Sequence, residues 1–302
     1  MKNSKLHTIK QYKNFFFGKT VIVTGHTGFK GSWLSYVLWL FGAKVIGISS
    51  YELGHNSNYK VLNINSKLYK EFKIDIYNLD KLRSIFIKSK PDIIYHLAAQ
   101  SLVSKSIKEP IETFKTNIIG TTNILESLRY IKKKCSAVIV TSDKCYYNRE
   151  INKGYVESDI LGGDDPYSSS KAATEIIFKS YYKSYFSEKK NISLATARAG
   201  NVIGGGDFSV NRIVPDVIES LTKDTFLQLR YPNATRPWQH VLEPLGGYLL
   251  LGFKLANDYA LHGQSFNFGP HLDKNYSVID VVNQFSKTWD IAKYEIEKDI
   301  AR

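Results

Sequence analysis

Cysteine is scarce in this 302-residue chain. The only two, Cys135 and Cys145, stand in no spacing that suggests a disulfide framework or a metal site, which points to a reducing, cytoplasmic setting and to no bound metal. No apolar run approaches the ~20 residues of a membrane span. The basic start, Met1-Lys2-Asn3-Ser4-Lys5, is followed by neither an apolar stretch nor a small-residue cleavage site, so no secretory leader is read there. Internal repeats and low-complexity linkers are also missing. These absences leave an ordinary globular chain, long enough for a large core and for one composite or two simple domains. One charge sign is in excess, with a formal net charge of +13. The lysines are dispersed, with only brief runs such as Lys132-Lys133-Lys134. That pattern suits a solvated surface that prefers small anions, and neither nucleic acid nor a membrane is expected as a partner.

The stretch that organises the chain is Val21-Ile22-Val23-Thr24-Gly25-His26-Thr27-Gly28-Phe29-Lys30-Gly31, followed by Ser32-Trp33-Leu34. A β-branched apolar run, a glycine loop and an apolar helical pattern read as strand, turn and helix. Gly25 permits the tight turn, Gly28 lets backbone approach a pyrophosphate, and Gly31 lets the helix pack on the strand. The helix N-terminus then points N–H groups and its positive dipole end at phosphates. Residues 1 to about 18 read as a polar lead-in, with Phe15, Phe16 and Phe17 packing beneath the first strand. Trp33, Leu34, Val37, Leu38 and Leu40 give the helix a wide apolar face, Gly42 ends it, and Lys44 to Ile48 form the second strand. The acid expected at the end of that strand for an adenosine ribose is missing at the first positions, with Glu52 a residue or two late. No arginine stands there for a 2′-phosphate, so NAD is favoured over NADP.

Further strands are read at Phe72 to Ile76, Pro91 to Gln100, Ala137 to Val140 and Ile192 to Ala197, with helices between them, including one from Asn78 to Ser89 and one from about Pro110 to Lys132. The alternation predicts an α/β fold with a doubly wound parallel sheet. Asp75 either accepts from an adenine amino group or caps the helix after it. The small residues Ala98 and Ala99 leave room for a cofactor at the sheet's carboxyl edge. Thr141-Ser142-Asp143-Lys144-Cys145-Tyr146 reaches the same edge. Tyr167 and Lys171, four apart in a helix opened by Asp165-Pro166, share a face. An ammonium beside a phenol favours the phenolate and lowers its pKa from ~10, so the pair can take a proton from a sugar hydroxyl. Arg198 and Asn201 are read at the ligand edge of the sixth strand.

The chain resembles the extended short-chain dehydrogenase/reductase family, and within it the nucleotide-sugar 4,6-dehydratase branch that acts on CDP-glucose. The resemblance is carried by Thr24 to Gly31, His96 to Ser101, Thr141 to Tyr146, Gly162 to Lys171, Ala197 to Asp207 and Ala234 to Pro244, the last two being long and idiosyncratic. It implies a Rossmann-type sheet over residues 1–198, with 237–262 returning to it, and a smaller, mixed C-terminal substrate unit from 199–236 and 263–302. Family members usually continue well past residue 302, so a shortened substrate unit is expected, its tail from Tyr276 reading as one or two helices. The implied cofactor is NAD, held by Gly25, Thr27, Gly28, Phe29, Lys30, Gly31, Asp75, Ile76, Leu97, Ala98, Ala99, Tyr167 and Lys171. The implied reaction is oxidation at C4, loss of water across C5 and C6, and hydride return to C6, as in deoxysugar and lipopolysaccharide O-antigen synthesis.

Catalysis is assigned to Ser142, Asp143, Lys144, Tyr167 and Lys171, with Tyr167 as the C4 base, Ser142 polarising the C4 oxygen, Asp143 as acid and Lys144 as the C5 base. Lys144 acts so only when neutral; a fall from ~10.4 to ~7 needs roughly 4–5 kcal/mol of environment, supplied by partial burial and nearby cations. Ser101, Asn201, Arg212, Arg236 and His240 form the implied substrate set. The two arginines are assigned to the diphosphate, while His240, more often a packed residue, has no catalytic role. A homodimer or higher homo-oligomer through a helix pair is implied. The rivals are a 4-epimerase on the same fold, which needs no acid and base beside C5 and C6, and a non-catalytic NAD-sensing or nucleic-acid-binding protein.

Overall fold

Runs of β-branched and small residues such as Val21-Ile22-Val23, Ile93-Ile94 and Ala137-Val138-Ile139-Val140 have no polar face to give to water, so they form strands covered on both sides. The computed structural model describes residues 2–50, 54, 57–151, 153–209, 211–271, 276–289 and 294–296. Its first half runs α1 (Lys2–Phe16), β1 (Thr20–Thr24), α2 (Phe29–Leu40), β2 (Lys44–Ser49), α3 (Asn58–Val61), β3 (Lys70–Lys73), α4 (Leu79–Ser89), β4 (Ile93–His96), α5 (Val103–Lys108), α6 (Pro110–Phe114), a π-helical turn at Lys115–Ile119, α7 (Gly120–Leu128) and β5 (Cys135–Val140). The second half runs α8 (Pro166–Tyr181), β6 (Ile192–Ala199), β7 (Val202–Ile203), α9 (Ile213–Lys223), β8 (Leu227–Leu229), β9 (Thr235–Arg236), β10 (Gln239–His240), α10 (Leu242–Asn257), β11 (Ser265–Phe268), β12 (Tyr276–Ser277), α11 (Val278–Ser286) and β13 (Tyr294–Ile296).

Seven strands pair in the order β11-β6-β5-β4-β1-β2-β3, every neighbour parallel. Alternate side chains enter two apolar layers. Val21, Val23, Ile93, Tyr95, Val138 and Ala195 meet Phe16, Leu34, Leu38, Leu245 and Leu249 from α1, α2 and α10. Ile22, Ile94, Ile139 and Leu194 meet Leu82, Phe86, Ile124, Leu125 and Phe178 from α4, α7 and α8. This is the doubly wound α/β sheet that the sequence predicts. The strand order reverses between β1 and β4, and the crevice at such a reversal is where open α/β sheets hold ligands. A third, small cluster of Val217, Leu227, Leu229 and Val282 holds α9, β8 and α11, beside short parallel and antiparallel strand pairs.

Several boundaries differ from the sequence reading. The lead-in is a helix: Phe16 is fully buried, and Tyr12 and Phe15 pack edge-on against Phe253 of α10. Phe17 is exposed instead, lying over Gly42. The third strand is Lys70–Lys73, with Ile74, Asp75 and Ile76 beyond its end, because the charged edge pair Lys70-Glu71 hides it from an apolar count. The helix read from Pro110 to Lys132 ends at Leu128. The sequence groups 263–302 with the smaller unit, yet Ser265–Phe268 is the edge strand of the central sheet. From Tyr276 the described residues contain one helix and two short strands, not helices alone.

Candidate active site

The glycine loop follows β1 directly. Gly25 has φ +72°, and a Cβ there would lie 2.8 Å from the backbone of Ala98. A Cβ on Gly31 would lie 2.0 Å from the Gly25 carbonyl oxygen. Both positions are therefore closed to any side chain. Gly28 has ordinary extended backbone and is the N-cap of α2, and no side chain caps that helix, whose first-turn N–H groups stay open to an anion. Thr27 is hydrogen-bonded to Ser49 at 2.8 Å. His26 fills the space above Gly47 and reaches Glu71 at 2.7 Å. Fully buried His96 bridges Thr24 (2.7 Å) and Thr121 (2.9 Å), and burial pushes its pKa down to about 3, so it stays neutral.

The half-buried Leu97, Ala98 and Ala99 leave β4 beside this loop, and the Ala98 N–H donates to Thr24 Oγ1. Asp75 and Ile76 lie past the end of β3. The Asp75 carboxylate accepts from the Tyr77 N–H at 3.0 Å, and Ile76 is buried under Gly120. Asp75 is not the cap of α4; that is Asn78, which accepts from Lys81 N. Glu52 lies outside the described residues.

On the other side of the crevice, Asp165 caps α8 by accepting from the N–H groups of Tyr167 and Ser168, with Pro166 in the first turn. Tyr167 and Lys171 are both buried on one face, and the Lys171 ammonium lies 6.0 Å from the Tyr167 ring centre. The expected lowering of the tyrosine is reversed: burial pushes Tyr167 up to about 12, helped by Asp143, while Ser142 and Arg212 pull the other way. Lys171 itself is pushed down to about 8 by burial and then by Lys30, against the pull of Glu175. Ser142 donates to Asp143 at 3.0 Å and accepts from Lys144 N. Burial raises the Asp143 carboxyl above its ordinary range, opposed first by Lys144. The Lys144 side chain is exposed, so the partial burial that the sequence reading relies on is not there.

Arg212, the N-cap residue of α9, is paired with Asp207 at 2.6 Å. Its charge reaches both Tyr167 and Lys30. Lys30, read as a cofactor residue, has a side chain in the field of Arg212, Asp143 and Asp207 and is pushed down to about 8, chiefly by burial. Asn201 follows β6, its carbonyl accepting from Gln239 N. Ser101 is exposed. Arg236 donates to the carbonyl of its neighbour Thr235, and exposed His240 accepts from Leu242 N at the start of α10. Ser142, Asp143, Tyr167, Lys171, Lys30 and Arg212 are thus gathered within one another's fields, with Arg236 and His240 on the short strands beyond. No group of three or more His, Cys, Asp or Glu placed to hold a metal occurs among the described residues.

Arg198 corrects the sequence reading most clearly. It does not face a ligand; it is 4% exposed and turned inward to Glu175 at 2.7 Å. A cation inside an eight-residue buried strand signals a buried partner, and Glu175 continues the Tyr167, Lys171 spacing by four more residues. Sequence reasoning also missed the role of Asn117. In the π-helical turn it clasps the Gln100 backbone at N–H and carbonyl and donates to Ser170 Oγ, which in turn donates to the Tyr167 carbonyl. Trp33 and Asn58 both donate to the Gly205 carbonyl and anchor the loop before Asp207.

Residues 22–299 match a protein family described as GDP-mannose 4,6 dehydratase. The chain is 41% identical over 281 residues to a CDP-glucose 4,6-dehydratase of Salmonella typhimurium, covering 92% of this chain and 78% of that protein. It is 32% identical to a dTDP-D-glucose 4,6-dehydratase of Dictyostelium discoideum, covering 69% and 49%. Among solved structures, a dTDP-glucose 4,6-dehydratase of Streptomyces venezuelae with NAD bound superposes with a TM-score of 0.77 at 23% identity, covering 92% of this chain and 85% of that one. A UDP-glucose 4-epimerase of Thermotoga maritima gives 0.76 at 22%, covering 92% and 86%. The chain belongs to the GDP-mannose 4,6-dehydratase family.

Proposed function

We propose that this family member is an NAD-dependent hydro-lyase that converts CDP-glucose to the CDP-4-keto-6-deoxy sugar. The observation that carries the reading is the joint position of Tyr167, Ser142 and a carboxylic acid with a raised pKa, Asp143, at one sheet edge. An epimerase has no use for that acid. The choice of CDP-glucose follows the 41% identical relative.

The residues fit a dinucleotide. Gly25 and Gly31 keep a cradle that any Cβ would fill, and the uncapped first turn of α2 suits a pyrophosphate. The Lys171 ammonium, in a residue only 5% exposed and 6.0 Å from the Tyr167 ring centre, is placed to meet ribose hydroxyls. Leu97, Ala98 and Ala99 would floor the site. When bound, NAD supplies a hydride acceptor and donor, and in its oxidised form a positive charge that opposes the burial of the tyrosine.

As the phenolate, which the bound cofactor's positive charge would favour, Tyr167 takes the proton of the C4 hydroxyl, and Ser142 donates to the C4 oxygen. The ketone so formed acidifies the C5 proton. Asp143, whose proton affinity burial raises, gives its proton to the departing C6 hydroxyl. Lys144 takes the C5 proton in this reading; being exposed in the chain alone, it depends on the bound sugar for its desolvation. Arg212 and Arg236 bind the diphosphate, with Asn201, Ser101 and His240 around the sugar nucleotide.

Incubation with NAD and CDP-glucose tests the reaction: a 4-keto-6-deoxy product is expected, and a 4-epimer or no product in any sugar-nucleotide arm overturns it. A thermal-shift comparison of CDP-, UDP-, dTDP- and GDP-glucose should give the largest rise with CDP-glucose. A Lys144→Ala enzyme that dehydrates at the wild-type rate removes Lys144 as the base. Exposed Ile111, Ile119 and Ile176, on α6, the π-helical turn and α8, support a homodimer through these helices. Light scattering should give twice the chain mass, and Ile111→Lys should halve it. Two free, buried cysteines support a cytoplasmic setting. No helix among the described residues is long and apolar enough to cross a membrane.

A further inference from the structure

Beneath the crevice lies a polar centre that no catalytic step uses. Glu175 stands two turns along α8 from Tyr167 and one turn from Lys171, on the same buried face. Its carboxylate accepts from four donors on three strands or their ends: Thr141 Oγ1 at the end of β5, Thr196 Oγ1 (2.9 Å) and Arg198 Nη2 (2.7 Å) on β6, and Ser265 Oγ (3.1 Å) on β11. Arg198 passes the connection on. Its Nη1 donates to the Tyr146 hydroxyl at 2.7 Å and to the Glu157 carbonyl at 3.1 Å. The Tyr146 hydroxyl donates to Asn267 Oδ1 at 2.7 Å, and the Tyr146 ring stacks on Tyr155 with centroids 5.2 Å apart.

Ser142, Asp143 and Lys144 are thereby bracketed. The residue just before them, Thr141, is tied to Glu175, and Tyr146, two residues after them, is tied to Arg198. We propose that the Glu175–Arg198 pair is a positioning device that fixes the Ser142–Lys144 segment against Tyr167 and Lys171. The inference rests on the dehydratase reading only for what the two groups do; the bracketing itself is geometry. A buried ion pair is a poor source of net stability, because desolvation offsets most of the attraction. It is an effective device for register, because each charge accepts only one arrangement of donors or acceptors. Acid, base and hydroxyl must be held to within a fraction of an ångström, and a 1 Å misplacement can cost about 100-fold in rate. Glu175 also supports the charge of Lys171.

Removing one member of the pair strands the other charge, so Glu175→Gln reports on folding first. The sharper variants are Thr141→Val and Tyr146→Phe, which leave the pair intact and cut one tether each. For each, crystal structures, melting temperature, NAD affinity by calorimetry, and kcat and KM for CDP-glucose are measured on the full chain. The expected result is a displaced Ser142–Lys144 segment, a kcat lower by about 10- to 100-fold, KM and NAD affinity within about twofold of wild type, and a melting temperature within a few degrees. The double variant should lose no more than the worse single one, since both tethers serve one register. An unmoved segment with unchanged kcat overturns the proposal. So does a loss of rate matched by equal losses of NAD affinity and melting temperature, the mark of a merely structural role. If wild type makes no 4-keto sugar, the dehydratase reading fails alone, and the displacement of Ser142–Lys144 still decides the positioning claim.

Discussion

Around the central sheet, two apolar layers bury side chains such as Ile22, Leu34, Ile94 and Leu125 completely, whereas the outer cluster rests on Val217, Leu227, Leu229 and Val282. The residues proposed for the site follow the same division. Tyr167, Lys171, Ser142 and Asp143 stand on α8 and on the end of β5, elements clamped in the sheet body. Arg212 and Arg236 stand at the N-cap of α9 and on the two-residue strand β9, beside the small core. On the proposed reading, chemistry that needs fixed distances is built where packing is dense, and charges assigned to a flexible diphosphate are built where it is sparse.

The contrast can be broken in several places. The largest effect is expected for Tyr167→Phe, which should lower kcat by about 10²- to 10⁴-fold with melting temperature and NAD affinity nearly unchanged; residual turnover near wild type would show that another group takes the C4 proton. Next, Leu34→Ala in the sheet body should cost about 2–5 kcal/mol in denaturant unfolding. Leu229→Ala in the outer cluster should cost about 2 kcal/mol, seen by hydrogen exchange as local opening of β8 and α9 rather than global unfolding. Equal global losses would erase the distinction between the two regions.

Smaller again, Arg212→Ala should raise KM for the sugar nucleotide roughly 10- to 100-fold, more than Arg236→Ala does, because only Arg212 is in the field of Tyr167 and Lys30. The smallest effect concerns pH. Lys171 is held at about 8, below its ordinary 10.5. Below about 8 it is charged in both folded and unfolded chains. Through the interval up to 10.5 only the unfolded chain keeps the proton, so this group's contribution to stability rises with pH there. Unfolding free energies on either side of that interval should rise more for wild type than for Lys171→Met, and identical slopes would place Lys171 in ordinary solvent.

Much of this was legible in the chain. The strand–loop–helix at Val21 to Leu34 and the Tyr167–Lys171 face follow from local periodicity and glycine spacing, which act over a few residues, whereas the return of α10 to the sheet was implied by the family resemblance. What escaped depends on partners far apart in sequence. Arg198 looks like a ligand-edge cation until Glu175, 23 residues earlier, is seen to turn it inward. Tyr167 looks activated by Lys171 until burial, a property of the whole fold, outweighs the neighbour. The exposure of Lys144 escaped for the same reason in reverse, since it depends on what the rest of the chain leaves uncovered. The third strand was displaced because an edge strand with charged residues carries little apolar signal.

The seventh strand, Ser265–Phe268, lies at one edge of the sheet beside Ile192–Ala199, with a helix of the opposite layer, Leu242–Asn257, made just before it. A chain emerging from the ribosome therefore holds six strands of an unfinished sheet, one apolar face covered by the first two helices alone, until that late helix and strand arrive. The last acceptor contact of Glu175, from Ser265, is completed at the same moment. The floor beneath the Ser142–Lys144 segment is thus completed only when this late strand is made, and a nascent polypeptide halted before this point leaves the sheet's edge open and the share of one apolar face that Leu242–Asn257 covers exposed.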